Sequence, residues 1–237
     1  MIRALIIDDE IHARNELEKL LDATGAFSIV GKCANAVEGV KAINRLRPQV
    51  VFLDIQMPVI DGFEMLGMID REIMPHVVFI TAYDEYAVRA FEEKTLDYLL
   101  KPVAAARLSG TVEKVRDHLQ KREHPAYPTP ELTRIPCVKG GNIKLVPSDA
   151  VEYAVCRPTG VHVYAAGEPY FTDLTLKAIE ERTPLTRCHR KYLVNLGAIE
   201  EIRLQEGGGA ELRTRSGATV PVSCRLLREF KRTVGLL

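Results

Sequence analysis

Val50-Val51-Phe52-Leu53-Asp54, followed by Ile55-Gln56-Met57-Pro58, is the stretch on which the reading of this chain turns. Four apolar residues run into one carboxylate, and a proline follows shortly after. A short unbroken apolar run bounded by a turn signal predicts a strand covered on both faces. A carboxylate at the C-terminal end of such a strand lies where open α/β sheets place their ligands. Two other runs end in a similar way: Ala4-Leu5-Ile6-Ile7 leads into Asp8-Asp9, and Tyr98-Leu99-Leu100 into Lys101. If these strands are neighbours in a parallel sheet, three carboxylates and one ammonium group meet at one edge.

Working outward, apolar runs alternate with helical periodicity. Strands are predicted at 2–7, 28–33, 50–54, 77–81 and 97–100. Helices are predicted at 10–23, 36–46, 62–69, 84–94 and 104–121. Arg47-Pro48 and Met74-Pro75 act as stops. Five repeats of strand then helix imply a parallel sheet with both faces covered.

Crowded carboxylates repel one another, and their ionised forms need a cation between them. With oxygen ligands alone the natural ion is Mg²⁺, which keeps several waters and needs few carboxylates. Asp8, Asp9 and Asp54 supply that set, with the Gln56 carbonyl as a further candidate ligand. A carboxylate beside Mg²⁺ can attack a phosphoryl group, because the metal screens it from the incoming oxygens. Thr81 ends its strand with a hydroxyl, and Lys101 offers a positive charge; both suit phosphoryl oxygens. Singly, an Asp at a strand end is more often a helix cap, a Thr a β-branched strand residue and a Lys a solvated side chain. Those ordinary explanations do not account for all of them at the ends of four strands.

Asp8-Asp9-Glu10, Asp54-Ile55-Gln56-Met57-Pro58, Asp61-Gly62, Thr81-Ala82 and Lys101-Pro102 together resemble the motif set of the response-regulator receiver domain. The resemblance covers residues 1–122. It implies a flavodoxin-like fold with a five-stranded parallel sheet, Mg²⁺ at the acidic pair, and phosphorylation of Asp54 by a sensor histidine kinase. It also implies a cis Lys101-Pro102 bond and a switch in which Thr81 closes on the phosphoryl group and Tyr98 turns inward. Beyond Thr81 and Lys101 lies a surface rich in both charges (Asp84, Glu85, Arg89, Glu92, Glu93, Lys94, Asp97, Lys114, Arg116, Asp117), suited to pairing across a two-fold dimer or to plain solvation.

Residues 123–131 contain Pro125, Pro128 and Pro130, which predicts a stiff, extended linker. The charge changes across it. Residues 1–124 carry 16 basic and 20 acidic residues, a net of −4; residues 125–237 carry 16 and 12, a net of +4. A basic second half hints at a polyanionic partner. Five cysteines, an odd number with no CxxC pair, argue against a disulfide framework or a zinc site and fit a reducing compartment. No signal peptide and no run of about twenty apolar residues is visible, so the expectation is a cytoplasmic protein without membrane insertion.

Beyond the linker the apolar runs are short and broken by Gly and Pro, which predicts a mostly antiparallel β domain at 132–237 with a terminal helix from Cys224. Basic residues gather in segments: Arg157; Arg187, Arg190 and Lys191; Arg225, Arg228, Lys231 and Arg232. Arg187 to Lys191 reads as a loop after Pro184. Guanidinium groups on loops reach phosphates and guanine edges. Leu185-Thr186-Arg187-Cys188-His189-Arg190-Lys191-Tyr192-Leu193-Val194-Asn195 resembles the signature of the LytTR DNA-binding domain. Thr172-Asp173-Leu174-Thr175-Leu176-Lys177 and Val220-Pro221-Val222-Ser223-Cys224-Arg225 fit it too. The resemblance implies a ten-stranded β fold whose loops enter successive major grooves. The contacts it implies are Arg157, Thr159, Arg187, His189, Arg190, Lys191, Arg225 and Arg228. Gly160, at one contact position, has no side chain to read a base.

Over its whole length the chain is similar to LytTR response regulators that partner LytS-type, membrane-bound sensor kinases. The expectation is a non-enzymatic two-component transcriptional regulator that dimerises on phosphorylation and binds direct repeats in promoter DNA. One rival, an aspartyl-phosphate phosphohydrolase, needs an acid/base carboxylate two residues beyond its nucleophile, where this chain has Gln56. The other, an output half that binds RNA or protein, lacks the interleaved basic and aromatic residues of base-stacking platforms.

Overall fold

The structure, a computed structural model, describes residues 1–83, 95–121, 125, 127, 131–140, 142–205, 208–233 and 235. The chain divides into two compact units, Met1–Pro130 and Glu131–Leu237. The helix expected at 84–94 lies outside the described residues.

The first unit is built on β1 (Ile2–Ile7), β2 (Phe27–Cys33), β3 (Val50–Asp54), β4 (His76–Thr81) and β5 (Asp97–Leu100), ordered β2-β1-β3-β4-β5. Every pairing is parallel. β3 and β4 are buried at every position, which is why they read as continuous apolar runs rather than alternating ones. Helices α1 (Ile11–Ala23) and α4 (Ala105–Lys121) close one face, packing Leu17, Leu21, Leu108, Val112 and Val115 onto Ala4, Ile6, Phe52, Val78 and Ile80. Toward the other face lie α2 (Ala36–Leu46) and α3 (Gly62–Leu66). A Cβ on Gly39 of α2 would stand 2.7 Å from the Ile7 side chain and 2.8 Å from that of Met65, so the glycine sets the close approach of helix to strand. Phe27, Phe52 and Phe79 are fully buried, and each such ring stabilises the fold by roughly 1.5–3 kcal/mol.

Local signals place the helix ends. Asn35 caps α2 through the Glu38 amide at 2.9 Å, and Arg47 ends it in the left-handed region at φ 49°. Asp61 and Glu64 form a reciprocal capping box on α3. That helix stops at Leu66, short of the expected 69; Met68 and Ile69 stay buried, so apolar spacing continues past the helix itself.

The second unit contains ten strands among its described residues. Seven form one sheet in the order β11-β12-β8-β9-β10-β6-β7, and three form another, β13-β14-β15. They are β6 (Arg134–Lys139), β7 (Asn142–Pro147), β8 (Val151–Arg157), β9 (Gly160–Ala165), β10 (Glu168–Thr172), β11 (Leu185–His189), β12 (Tyr192–Asn195), β13 (Ile199–Leu204), β14 (Ala210–Thr214) and β15 (Thr219–Val222). Helix α5 (Leu176–Arg182) precedes β11, and α6 (Cys224–Thr233) follows β15. Cys188, Val194, Leu212, Val220 and Phe230 form a buried cluster that ties α6 and the small sheet to β11 and β12. Glu152 on β8 accepts bonds from the Ser216 amide at 3.1 Å and hydroxyl at 2.7 Å, which clips the β14–β15 turn. The sequence reading is corrected at β11: residues 187–189 belong to a strand, and only Arg190 and Lys191 form the turn.

Candidate functional site

Parallel register brings the strand ends of the first unit together. Ile7 pairs with Leu53, Asp54 with Ile80, and Thr81 with Leu100. Asp8, Asp54, Thr81 and Lys101 therefore emerge at one edge of four adjacent strands. The Lys101 Nζ lies 2.6 Å from Asp54 Oδ2 and 2.7 Å from Asp8 Oδ2. The Gln56 amide donates to Asp54 Oδ1 at 3.1 Å, and the Glu10 amide to Asp8 Oδ1 at 2.9 Å. Asp8, Asp9 and Asp54 each offer a carboxylate oxygen, and these lie within 4.8 Å of one another. Such a set of hard oxygen donors suits Mg²⁺.

Burial shapes the charges. Asp54 is 6% exposed, and desolvation raises its pKa despite the opposing hydrogen bond and charge of Lys101. Burial opposes the Lys101 charge as well, but its bonds to Asp54 and Asp8 hold that pKa above the usual lysine value. Thr81 is fully buried, and its Oγ1 has no hydrogen-bond partner among the described residues. Tyr98 is partly buried and donates its hydroxyl to the Tyr83 carbonyl. The Lys101-Pro102 bond is cis. A Cβ on Gly62 would stand 2.5 Å from the Asp54 carbonyl oxygen, so α3 begins against the backbone of the acidic strand end only because Gly62 has none. Arg14, which sequence reasoning did not single out, donates to the Asp8 carbonyl from the first turns of α1. A lone arginine on a helix carries no spacing signal for such a role.

In the second unit two tight turns share one end of the large sheet. Arg157 pairs with Gly160 across Pro158-Thr159, and His189 with Tyr192 across Arg190-Lys191. β12 runs beside β8, with Tyr192 opposite Val155 and the Cys156 amide bonded to the Lys191 carbonyl. The Ser223 amide donates to the Cys188 carbonyl, which brings the start of α6, and Arg225, to the same end. Thr159, Arg190, Lys191, Arg225 and Arg228 are exposed. Arg157 donates to the Tyr164 hydroxyl at 2.5 Å, four residues back from the turn along β9. His189 accepts the Lys191 amide on Nδ1; burial, then Arg190 and Lys191, lower its pKa, so the ring is neutral near pH 7.

The Arg187 guanidinium is paired with Glu180 of α5, through Nε at 2.9 Å and Nη2 at 2.5 Å. Asp97, Lys114 and Asp117 are paired within the chain, Asp97 with Arg107 and Lys114, and Asp117 with Lys121. Residues 84, 85, 89 and 92–94 lie outside the described residues.

Residues 4–113 match the response regulator receiver domain family, and residues 141–235 the LytTr DNA-binding domain family. Over 239 residues, covering all of both chains, the protein is 49% identical to the transcriptional regulatory protein BtsR of Escherichia coli. It is 50% identical over 235 residues to an uncharacterized response regulatory protein of Vibrio cholerae, covering 99% of each chain. The chain is a LytTR response regulator. Among solved structures, the receiver domain of AraT from Geobacillus stearothermophilus is 33% identical and covers 51% of this chain and 97% of that one, with a TM-score of 0.46. This LytTR response regulator thus pairs a receiver fold of five parallel strands with a β-rich DNA-binding domain. A receiver domain implies a histidine kinase partner and generally binds Mg²⁺ at an acidic pocket, and a LytTR domain implies DNA binding. Among the described residues no helix is long and apolar enough to cross a membrane.

Proposed function

We propose that Asp54 is the phosphorylated residue and that its donor is a membrane-bound, LytS-type sensor histidine kinase. A carboxylate oxygen of Asp54 attacks phosphorus; the P–N bond of the kinase phosphohistidine breaks and its electron pair stays on the imidazole nitrogen. Asp8, Asp9, Asp54 and the Gln56 carbonyl would hold Mg²⁺, which screens the carboxylates from the incoming oxygens. Lys101 and Thr81 receive the phosphoryl oxygens, and Tyr98 follows Thr81 inward. The observation that carries this reading is the Lys101 ammonium, within 2.7 Å of both Asp8 and Asp54 at the end of neighbouring strands.

Phosphorylation then joins two copies of the protein. Tyr83 and Leu100, each 46% exposed, leave apolar surface near the Tyr98 switch for that contact. The paired output domains bind direct repeats in promoter DNA, using Arg157, Thr159, His189, Arg190, Lys191, Arg225 and Arg228. The work is done in the cytoplasm, and the protein itself turns over no substrate.

Incubation with acetyl phosphate and Mg²⁺ is expected to phosphorylate the wild type. Asp54→Asn, or removal of Mg²⁺ by chelation, is expected to abolish the product. Phosphorylation of the Asn variant at the wild-type level would refute the assignment of Asp54.

A further inference from the structure

The prolines that follow α4 suggest a strap free along its length, yet Tyr127 is only 6% exposed. Its hydroxyl accepts the backbone N–H of Val77, at the N-terminal end of β4, at 2.8 Å. The sheet register explains why that amide needs a partner. In a parallel strand successive residues address opposite neighbours. The His76 amide bonds to the Gln49 carbonyl on the β3 side, so Val77 faces the β5 side, where its carbonyl accepts the Leu96 amide at 2.9 Å. The β4–β5 pairing begins only at Val78 opposite Asp97, so the Val77 N–H falls just before the ladder starts. Val77 is fully buried, and a buried amide left without a partner is destabilising. The Tyr127 oxygen takes the place of a missing strand residue. Burial pushes its own ionisation well above the usual tyrosine value, so the group remains a neutral hydroxyl.

The second unit takes up the chain at Leu132, which is buried and whose amide donates to the Arg182 carbonyl at 2.7 Å. We infer that Tyr127 is an anchor that pins the linker to the receiver domain and shortens the run of chain between that domain and Leu132. From Tyr127 to Leu132 the contour is at most roughly 18 Å; without the anchor it is counted from Lys121, the end of α4, and rises to roughly 40 Å. Effective concentration falls with about the −3/2 power of tether length, so releasing the anchor lowers the local concentration of one output domain at its repeat by about threefold. This last consequence rests on the phosphorylation-dependent reading above; the anchor itself does not.

The test is hydrogen exchange on the full-length, unphosphorylated protein. Tyr127→Phe keeps the ring and removes the acceptor. The Val77 amide is expected to exchange at least tenfold faster in that variant, while the Phe79 amide, inside β4, keeps its wild-type rate and reports that the fold is intact. An unchanged Val77 rate in Tyr127→Phe overturns the anchor. Tyr127→Ala is then titrated, with and without acetyl phosphate, against a promoter fragment that the wild type binds. About a threefold loss of the phosphodonor-dependent gain, with the affinity before phosphorylation unchanged, is expected; full retention of the gain overturns the tether role. A wild type that shows no phosphodonor-dependent gain refutes the proposed function instead, and leaves the Val77 exchange rate to decide the anchor.

Discussion

Asp97 opens β5 with a carboxylate that is almost fully buried, and four donors converge on it. Arg107 contributes Nη1 at 2.8 Å and Nη2 at 2.6 Å, Thr111 its hydroxyl at 2.6 Å and Lys114 its Nζ at 2.8 Å. Burial alone would raise the Asp97 pKa, but the Arg107, Lys114 and Thr111 bonds outweigh it and hold the carboxyl well below the usual range. A carboxyl whose pKa is depressed on folding contributes stability above its unfolded value, near 4, and loses it as pH falls through the folded value. Asp97→Asn is therefore expected to cost about 1–2 kcal/mol at pH 7, reduced from a fully buried pair because Arg107 and Lys114 are half exposed. Urea unfolding checks the sign: the gap between variant and wild type narrows as the buffer is taken below pH 4. Arg187 and Arg190 separate by the same reasoning. Arg187→Ala breaks the Glu180 pair and is expected to lower stability by about 1 kcal/mol while DNA affinity shifts less than threefold. Arg190→Ala, at an exposed turn, is expected to leave stability unchanged and to lose about tenfold in a gel shift, the lower part of the 1–3 kcal/mol range for a base or phosphate contact. The Arg187–Glu180 pair across α5 and β11 leaves no trace in local sequence.

At the scale of elements, glycines mark the places where backbone must come close. Gly160 has φ 117°, and a Cβ there would stand 2.6 Å from the Phe171 ring. Gly160→Ala combines a strained backbone with a clash and is expected to cost about 2–4 kcal/mol, read as a lowered urea midpoint with an unchanged slope. Gly62→Ala presses instead on the Asp54 carbonyl, which is backbone and cannot turn aside. It is expected to lower the rate of phosphorylation by acetyl phosphate as well as stability. β1, β3 and β4 were legible because each is a largely apolar run that ends in or leads into a residue of the candidate site. β11 was not, because its register shifts between Arg187 and His189 and its buried residues, Leu185 and Cys188, fall three apart instead of two. A bulge of that kind erases the alternation by which a strand is recognised. The α3 helix fails in the opposite sense: buried Met68 and Ile69 extend its apolar spacing beyond the turn where its hydrogen bonds end.

At the scale of the whole molecule, the two halves carry opposite net charge, and that much is plain from composition. Binding of duplex DNA by the basic half is expected to weaken steeply with salt, with log K falling by about 0.9 for each phosphate contact per unit of log salt. Arg225→Ala and Arg228→Ala are each expected to reduce that slope by about 1 if their contacts are to phosphate. The two-unit division follows from the change of apolar pattern on either side of the prolines. The burial of Tyr127 does not, since an aromatic among prolines reads as linker until the bare amide of Val77 is seen. The acidic end of the sheet has a further consequence for how such a protein ages. Burial raises the Asp54 pKa even against the pull of Lys101, whose own charge Asp54 and Asp8 support, so the pair offsets the desolvation of the Asp54 carboxylate only in part. Asp54→Asn is thus expected to melt slightly higher than the wild type. On the proposed reading, mutational drift can then silence the receiver at no cost in abundance, leaving a sturdy but deaf protein.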